Sequence, residues 1–298
     1  MHESLTELSE LAPQCADAPT ARGLLTEGQD LVRNAIAHGE RPQALIEWFS
    51  RLVSDVLHSE GIAEITGGAQ IVLTGAIGRG DALPASPIKW LTVGSDEVTT
   101  AELDSLLTNV GLITEQTRFG HQPRSKSEWC GMIANADGPE LAIFADAGSW
   151  YLQEVITHAD HRLLLIDAIN QRPPALRLHE GLPDKDVPVD VRQDLLYPII
   201  AIARWASVAA GSTEVSTRRR INAGVEAGLL SQTQADFLRQ AWESGLDLQF
   251  KRWTDRVHSH KTTVDTLPAI QRSIFGASSR MVSDVARVLA AEYDVQLV

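Results

Sequence analysis

At 298 residues, 44% hydrophobic and 22% charged, the chain has enough apolar material for one large domain or two ordinary ones, and no mark of disorder. A net charge of −13 argues against DNA or RNA as the main partner, because a phosphate-backbone binder carries a basic surplus. Two isolated cysteines, Cys15 and Cys130, give neither a disulfide framework nor a zinc pattern and fit a reducing cytoplasm. The start, MHESLTELSELAPQ, lacks the basic and apolar regions of a secretory signal, and no apolar run approaches the roughly 20 residues that span a bilayer. A soluble, cytoplasmic protein that does not engage membranes is expected.

Residues 1–61 read as an N-terminal helical segment. In ARGLLTEGQDLVRNAIAHG, Leu24, Leu25, Leu31, Val32, Ala35 and Ile36 recur at three- and four-residue spacings, and Gly39 closes the helix. PQALIEWFSRLVSDVLHSEG repeats the device from Pro42, with Leu45, Phe49, Leu52, Val53 and Val56 as its apolar stripe and Gly61 as its stop. Residues 62–150 change period. AQIVLTGA and IKWLTVGS are short apolar runs ending at glycine, as buried strands do. TTAELDSLLTNVG predicts a helix with Thr99 or Thr100 as its N-cap and Gly111 at its end, and ELAIFADAG predicts a third strand. Strand, turn, strand, helix, strand is an α+β or α/β core.

Residues 151–298 turn helical again. WYLQEVITHADHRLLLIDAINQ predicts one helix up to Pro173 and Pro174. Asp190 is placed to cap VRQDLLYPIIAIARWASVAAG, and Pro198 inside that pattern predicts a kink. Ser231 and Gln234 have capping-box spacing, and a last helix begins near Pro268.

The stretch most suggestive of chemistry is TGAIGRGDALPASPIKWLTVG. Gly75-Ala76-Ile77-Gly78-Arg79 follows the run IVLT, and glycines there let a backbone turn tightly and approach a polyphosphate. Ser86 then precedes the second strand, and the third predicted strand ends in Asp146. This arrangement resembles the polymerase-beta-like nucleotidyltransferase superfamily, whose members carry G-S-x-G-R, then S-D-x-D opening a strand, then a third acid on a later strand. The nearer resemblance is to a bacterial family related to protein-PII uridylyltransferase. LVRNAIAHGERPQALIEWFSRLVSDVLH, IFADAGSW and LLYPIIAIARWASVAAGSTEVSTRRRINAGVEAGLLSQTQADFLRQAWE carry it. The resemblance implies an α+β fold: a small mixed sheet with helices over 62–150, flanked by the N-terminal helices and a C-terminal helical bundle of the substrate-binding type. It further implies Mg2+ held by clustered carboxylates and a nucleoside triphosphate whose phosphates lie near Gly75, Ala76, Gly78, Arg79, Asp81, Ser86 and Lys89. Asp146 would be the catalytic acid and metal ligand.

The departures fall on the chemistry. The serine expected after the first glycine is Ala76, and S-D-x-D reads Ser86-Pro87-Ile88-Lys89. Of three carboxylates only Asp146 has a counterpart, and Lys89 would repel a cation. A shifted alignment offers Asp81 or Asp96, neither with an acid two residues away; Asp81 reads equally as a solvated loop acid. Lys89 reads either as a strand-edge lysine or as a cation that partly replaces a metal's charge and holds a phosphate.

His158 with His161, and His258 with His260, have ligand-like spacing but no third ligand, so solvated helix faces are expected. The basic run Ser216–Arg220 could bind an acidic partner or a phosphate, whereas the resemblance implies a helix start with at least one arginine paired internally. Arg204, Trp205, Trp129, Trp150, Trp242 and Trp253 read as packing residues. Two functions stay open: a transferase that moves a nucleotidyl group to a protein or small-molecule hydroxyl, and a catalytically silent relative that binds a nucleotide or a partner protein. The second, with no required cofactor, is favoured by Pro87 and Lys89; the helical flanks offer surfaces for a homodimer.

Overall fold

The computed structural model describes residues 3–95, 98–176, 178–179, 182–184, 186, 188–256, 262–263 and 267–297. Asp96, His258 and His260 lie outside the described residues. The chain forms two compact units: Met1–Ala136 with Ile143–Ala159, and Asp137–Ala142 with Asp160–Val298.

In the first unit, helices α1 (Glu3–Leu11), α2 (Ala18–Ala37), α3 (Pro42–Leu57) and α4 (Glu60–Ile65) precede the sheet. Asp17 caps α2 by accepting from the Thr20 N–H at 2.8 Å. Leu45, Phe49, Leu52, Val53 and Val56 of α3 are all buried, as their spacing predicts, and each contributes about 1.5–3 kcal/mol by leaving water. Gly61 does not stop this helix; α3 ends earlier and Gly61 sits inside α4. Its N–H donates to the Cys15 carbonyl at 3.0 Å, and a β-carbon there would come within 2.4 Å of the Asp17 nitrogen. The glycine marks a close approach rather than a boundary.

Strand β1 (Gln70–Thr74) leads into the short helix α5 (Gly75–Arg79) and pairs antiparallel with β2 (Lys89–Val93), from Gln70 opposite Val93 to Thr74 opposite Lys89. Single parallel bridges add Thr114 beside Ile88 and Arg124 beside Val93. The helices α6 (Ala101–Asn109), α7 (Lys126–Ile133), α8 (Gly138–Ala147) and α9 (Ser149–His158) follow. The fold is therefore α+β, as expected.

One strand prediction is corrected. ELAIFADAG belongs to α8, not to a third strand. Asp137 and Glu140 form a reciprocal cap: Glu140 N–H donates to Asp137 Oδ1 at 2.9 Å and Asp137 N–H to Glu140 Oε2 at 3.0 Å. Pro139 fits the first turn, and the buried residues Leu141, Phe144 and Ala145 recur at helical spacing.

The second unit holds α10 (His161–Asn170), the two-residue strands β3 (Leu178–His179), β4 (Leu182–Pro183) and β5 (Pro188–Val189), a π-helix (Arg192–Leu196), and α11 (Tyr197–Ala209). It continues with α12 (Thr217–Glu226), α13 (Gln232–Thr254), β6 (Thr262–Thr263) and α14 (Ala269–Glu292). The single helix predicted up to Pro173 is two, α9 and α10, because the Asp160 carboxylate accepts from the Arg162 N–H at 2.9 Å and starts a new helix. Asp190 caps the next segment, accepting from Arg192 and Gln193 at 3.0 Å each. The helix is continuous from Val191 into α11, and the wider π turn (Arg192–Leu196) lies immediately before Pro198, where it accommodates the proline ring and the missing N–H. The Ser231–Gln234 capping box forms as spaced.

Candidate functional site

β1 ends at Thr74, whose hydroxyl donates to the Ile143 carbonyl at 2.5 Å. Gly75 then takes a φ of +65°, which turns the chain from strand into α5. Register with β2 sets Lys89 opposite Thr74. The Lys89 stem crosses over the turn, its Cδ 3.7 Å from where a β-carbon on Gly75 would stand. The ammonium pairs with Glu115 at 2.9 Å; the two side chains are 24% and 47% exposed. At such exposure the pair contributes about 0–1 kcal/mol and is easily exchanged for another anion.

Beneath the turn lies a second cluster of different character. Arg79 points inward, with Nε 3.3 Å from Asp81 Oδ2 and Nη1 bonded to Asp146 Oδ2. All three side chains are at most 4% exposed. Gly80 reverses the chain after α5, so that the Asp81 N–H bonds back to the Ala76 carbonyl at 2.9 Å and its carboxylate returns beside Arg79. The Ala82 N–H donates to Ser50 Oγ at 2.8 Å, fixing this loop to α3. Gly78 completes the contact: a β-carbon there would stand 2.3 Å from the Asp146 carbonyl oxygen and 2.7 Å from that of Leu73.

The predicted site residues therefore separate into two groups. Gly75 and Lys89 meet on the accessible side, together with Glu115. Arg79, Asp81 and Asp146 meet in the interior, with half-buried Gly78 packed against the Asp146 carbonyl. Ser86 serves its own loop: its Oγ accepts from the Leu83 N–H at 3.0 Å, and its N–H donates to the Leu83 carbonyl at 2.8 Å. Pro87 is buried, and Ala76 is half-buried with no hydroxyl to offer. Arg79 is committed to carboxylates rather than turned toward a phosphate. Asp146 is engaged by a guanidinium, and Asp81 is not a solvated loop acid.

This donor set does not fit Mg2+. An octahedral ion needs oxygen ligands free to point at it, and Asp81 and Asp146 both face the buried Arg79 guanidinium. Among the described residues no group of three or more His, Cys, Asp or Glu side chains is gathered for a metal. His158 is exposed and 3.5 Å from Glu154 on its own helix.

Sequence reasoning missed Glu115, which reaches Lys89 from the segment after α6, 26 positions away, with no local pattern to flag it. It also missed the stack of His121 on Trp90, ring centroids 4.3 Å apart and 24° from parallel. Burial pushes the His121 pKa below its ordinary value, with Asp104 opposing that only in part. The sign follows: the unfolded chain takes up the proton first, so this contribution to stability is intact above the ordinary histidine range and lost as pH falls below about 6.5. The melting temperature is therefore expected to drop between pH 7 and pH 5, and to drop less in His121→Phe, which keeps the stack. Identical pH profiles for the two proteins would contradict this.

Of the tryptophans expected to pack, Trp129, Trp205 and Trp242 are buried, whereas Trp150 and Trp253 are half-buried. Trp129 is buried and donates to the Thr92 carbonyl at 3.1 Å, and Trp205 is buried edge-on to Tyr293. Arg220 is wholly buried and donates to the Glu214 carbonyl at 2.9 Å, the internal arginine expected of the basic run.

Residues 161–293, the span from α10 to the end of α14, match the family model described as "Putative nucleotidyltransferase substrate binding domain". The C-terminal helical region is thus similar to a nucleotidyltransferase substrate-binding domain. No curated protein matches the chain. The substrate-binding-type region contains the capping box of α13 and the buried Arg220, which fixes the start of α12. No helix among the described residues is long and apolar enough to cross a membrane.

Proposed function

We propose that this chain is a nucleotidyltransferase-like protein, related to the protein-PII uridylyltransferase group, that binds a nucleoside triphosphate or a partner protein without metal-dependent transfer. The observation that carries this reading is the commitment of Asp146, the one carboxylate at a metal-ligand position, to buried Arg79. Two-metal catalysis depends on carboxylates that hold the ions against the phosphates, and here those positions read Pro87, Lys89 and an arginine-bound Asp146. The glycine turn persists, and the cation lying over it is Lys89. A lysine ammonium contacts phosphate as a point charge, and the exposed Glu115 gives way to a triphosphate at little cost. In this reading Gly75 leaves room for the phosphate chain, and Gly78, Arg79 and Asp81 act beneath it as support.

The second reading is an active uridylyl- or adenylyltransferase, with which the match of residues 161–293 to a putative nucleotidyltransferase substrate binding domain is compatible. It requires Mg2+ and an Asp146 released from Arg79. Calorimetry with ATP and UTP separates the two. The first reading predicts binding that persists in EDTA and weakens about tenfold in Lys89→Ala, the loss of one charge contact to phosphate. Binding that appears only with added Mg2+, or that is unchanged in Lys89→Ala, would overturn it.

A further inference from the structure

A cleft of about 310 Å3 in the N-terminal unit runs beside β1 and is bordered by four consecutive strand residues, Gln70 to Leu73. Consecutive strand residues point to opposite faces, so a space touching all four follows the strand's edge. Backbone parity shows that this edge is open. On β2 and just beyond its ends, Ile88 bonds outward to Ile113 and Glu115, the Thr92 carbonyl accepts from Arg124, and the Gly94 N–H donates to Arg124. Lys89, Leu91 and Val93 therefore turn their backbone groups inward, to Thr74, Val72 and Gln70. Ile71 and Leu73 turn theirs the other way, where no backbone partner meets them among the described residues. The Leu73 carbonyl is covered by Gly78. What remains without a backbone partner is the N–H and C=O of Ile71 and the N–H of Leu73, in residues that are 4% and 6% exposed and border the cleft, the donor and acceptor pattern of an unpaired edge.

The formal charge on the cleft walls is that of one cation. Lys126 lines the cleft, with its ammonium 4.4 Å from the Trp150 ring centroid. His58 lines it too, its Nδ1 held by the Ser54 carbonyl at 2.7 Å. No carboxylate is among the lining side chains, in a chain whose net charge is −13. Helix α9 begins at this wall with Gly148 as its N-cap and no side-chain cap, which adds partial positive charge from its first N–H groups.

We propose that the free edge of β1 accepts an extended, acidic peptide segment as an added strand, its backbone pairing with Ile71 and Leu73 and an acidic side chain facing Lys126. The volume lies at the lower end of the range for ligand sites, about 300–1,000 Å3, and suits a few residues of an extended chain. Strand addition of this kind draws affinity from main-chain bonds and specificity from alternate side chains. The proposal is independent of nucleotide binding at Gly75.

The test uses the full chain and a fluorescein-labelled five-residue peptide of alternating valine and glutamate, with a valine and lysine version and a backbone N-methylated version as controls. Anisotropy should show binding of the glutamate peptide about tenfold tighter than of either control, and about tenfold weaker in Lys126→Glu, a surface change that leaves the fold intact. Hydrogen exchange should show new protection at the Ile71 and Leu73 amides. Equal binding of the N-methylated peptide, or no protection at those amides, would overturn the proposal. So would glutarate or inorganic phosphate competing at the same concentration as the peptide, which would make the cleft a small-anion site.

Discussion

Arg79→Ala is expected to lower the unfolding free energy by about 3–5 kcal/mol, the loss typical when one partner of a buried ion pair is removed. The guanidinium holds two carboxylates in a space where each side chain is at most 4% exposed. Removing it takes a buried cation away from Asp81 and Asp146 and opens a cavity where the long side chain lay. The loss reflects buried carboxylates that keep their charge without that cation rather than the net strength of the pair. Arg79→Met combined with Asp81→Asn and Asp146→Asn should therefore recover much of it. Urea unfolding of the single and triple variants measures both quantities. A loss below about 1 kcal/mol for Arg79→Ala would place the arginine among ordinary surface ion pairs and contradict the burial argument.

Gly78→Ala is expected to cost about 3 kcal/mol or more, above the usual range for an added methyl group. The new β-carbon would stand 2.3 Å and 2.7 Å from two carbonyl oxygens, of Asp146 and Leu73, and neither is the end of a flexible side chain. Helix α5 would have to move off β1 and the end of α8, taking Arg79 with it. Gly75→Ala provides the contrast. Its nearest neighbour is the flexible Lys89 stem at 3.7 Å, so the penalty there is the strain of a positive φ, about 1 kcal/mol. Thermal melts of the two variants should differ clearly, with Gly78→Ala the lower. Equal melting temperatures would mean that the two glycines serve the same purpose.

That contrast bears on what the sequence could disclose. The α+β architecture and the helical C-terminal region were readable because periodicity and capping act locally: Ser231 with Gln234, Asp190 before Arg192, the apolar stripe of α3. The α8 segment was misread for a specific reason. Its apolar run is short and nearly continuous, and the Asp137–Glu140 cap that decides for helix stands just outside it. The glycine turn was legible as a motif, yet its chemistry was not. Whether Arg79 faces a phosphate or a carboxylate depends on where Asp146 lies, 67 positions later. Glu115 was invisible for the same reason. The absence of aspartates at Pro87 and Lys89 was legible from the start; the pairing of Asp146 with buried Arg79 was not.

The most direct test of the proposed function is pyrophosphate release from labelled nucleoside triphosphates in the presence of Mg2+ or Mn2+. The account predicts no release above the protein-free blank for the wild-type chain, and none for Asp146→Asn. Metal-dependent release by the wild-type protein that disappears in Asp146→Asn, with the variant still folded, would contradict it.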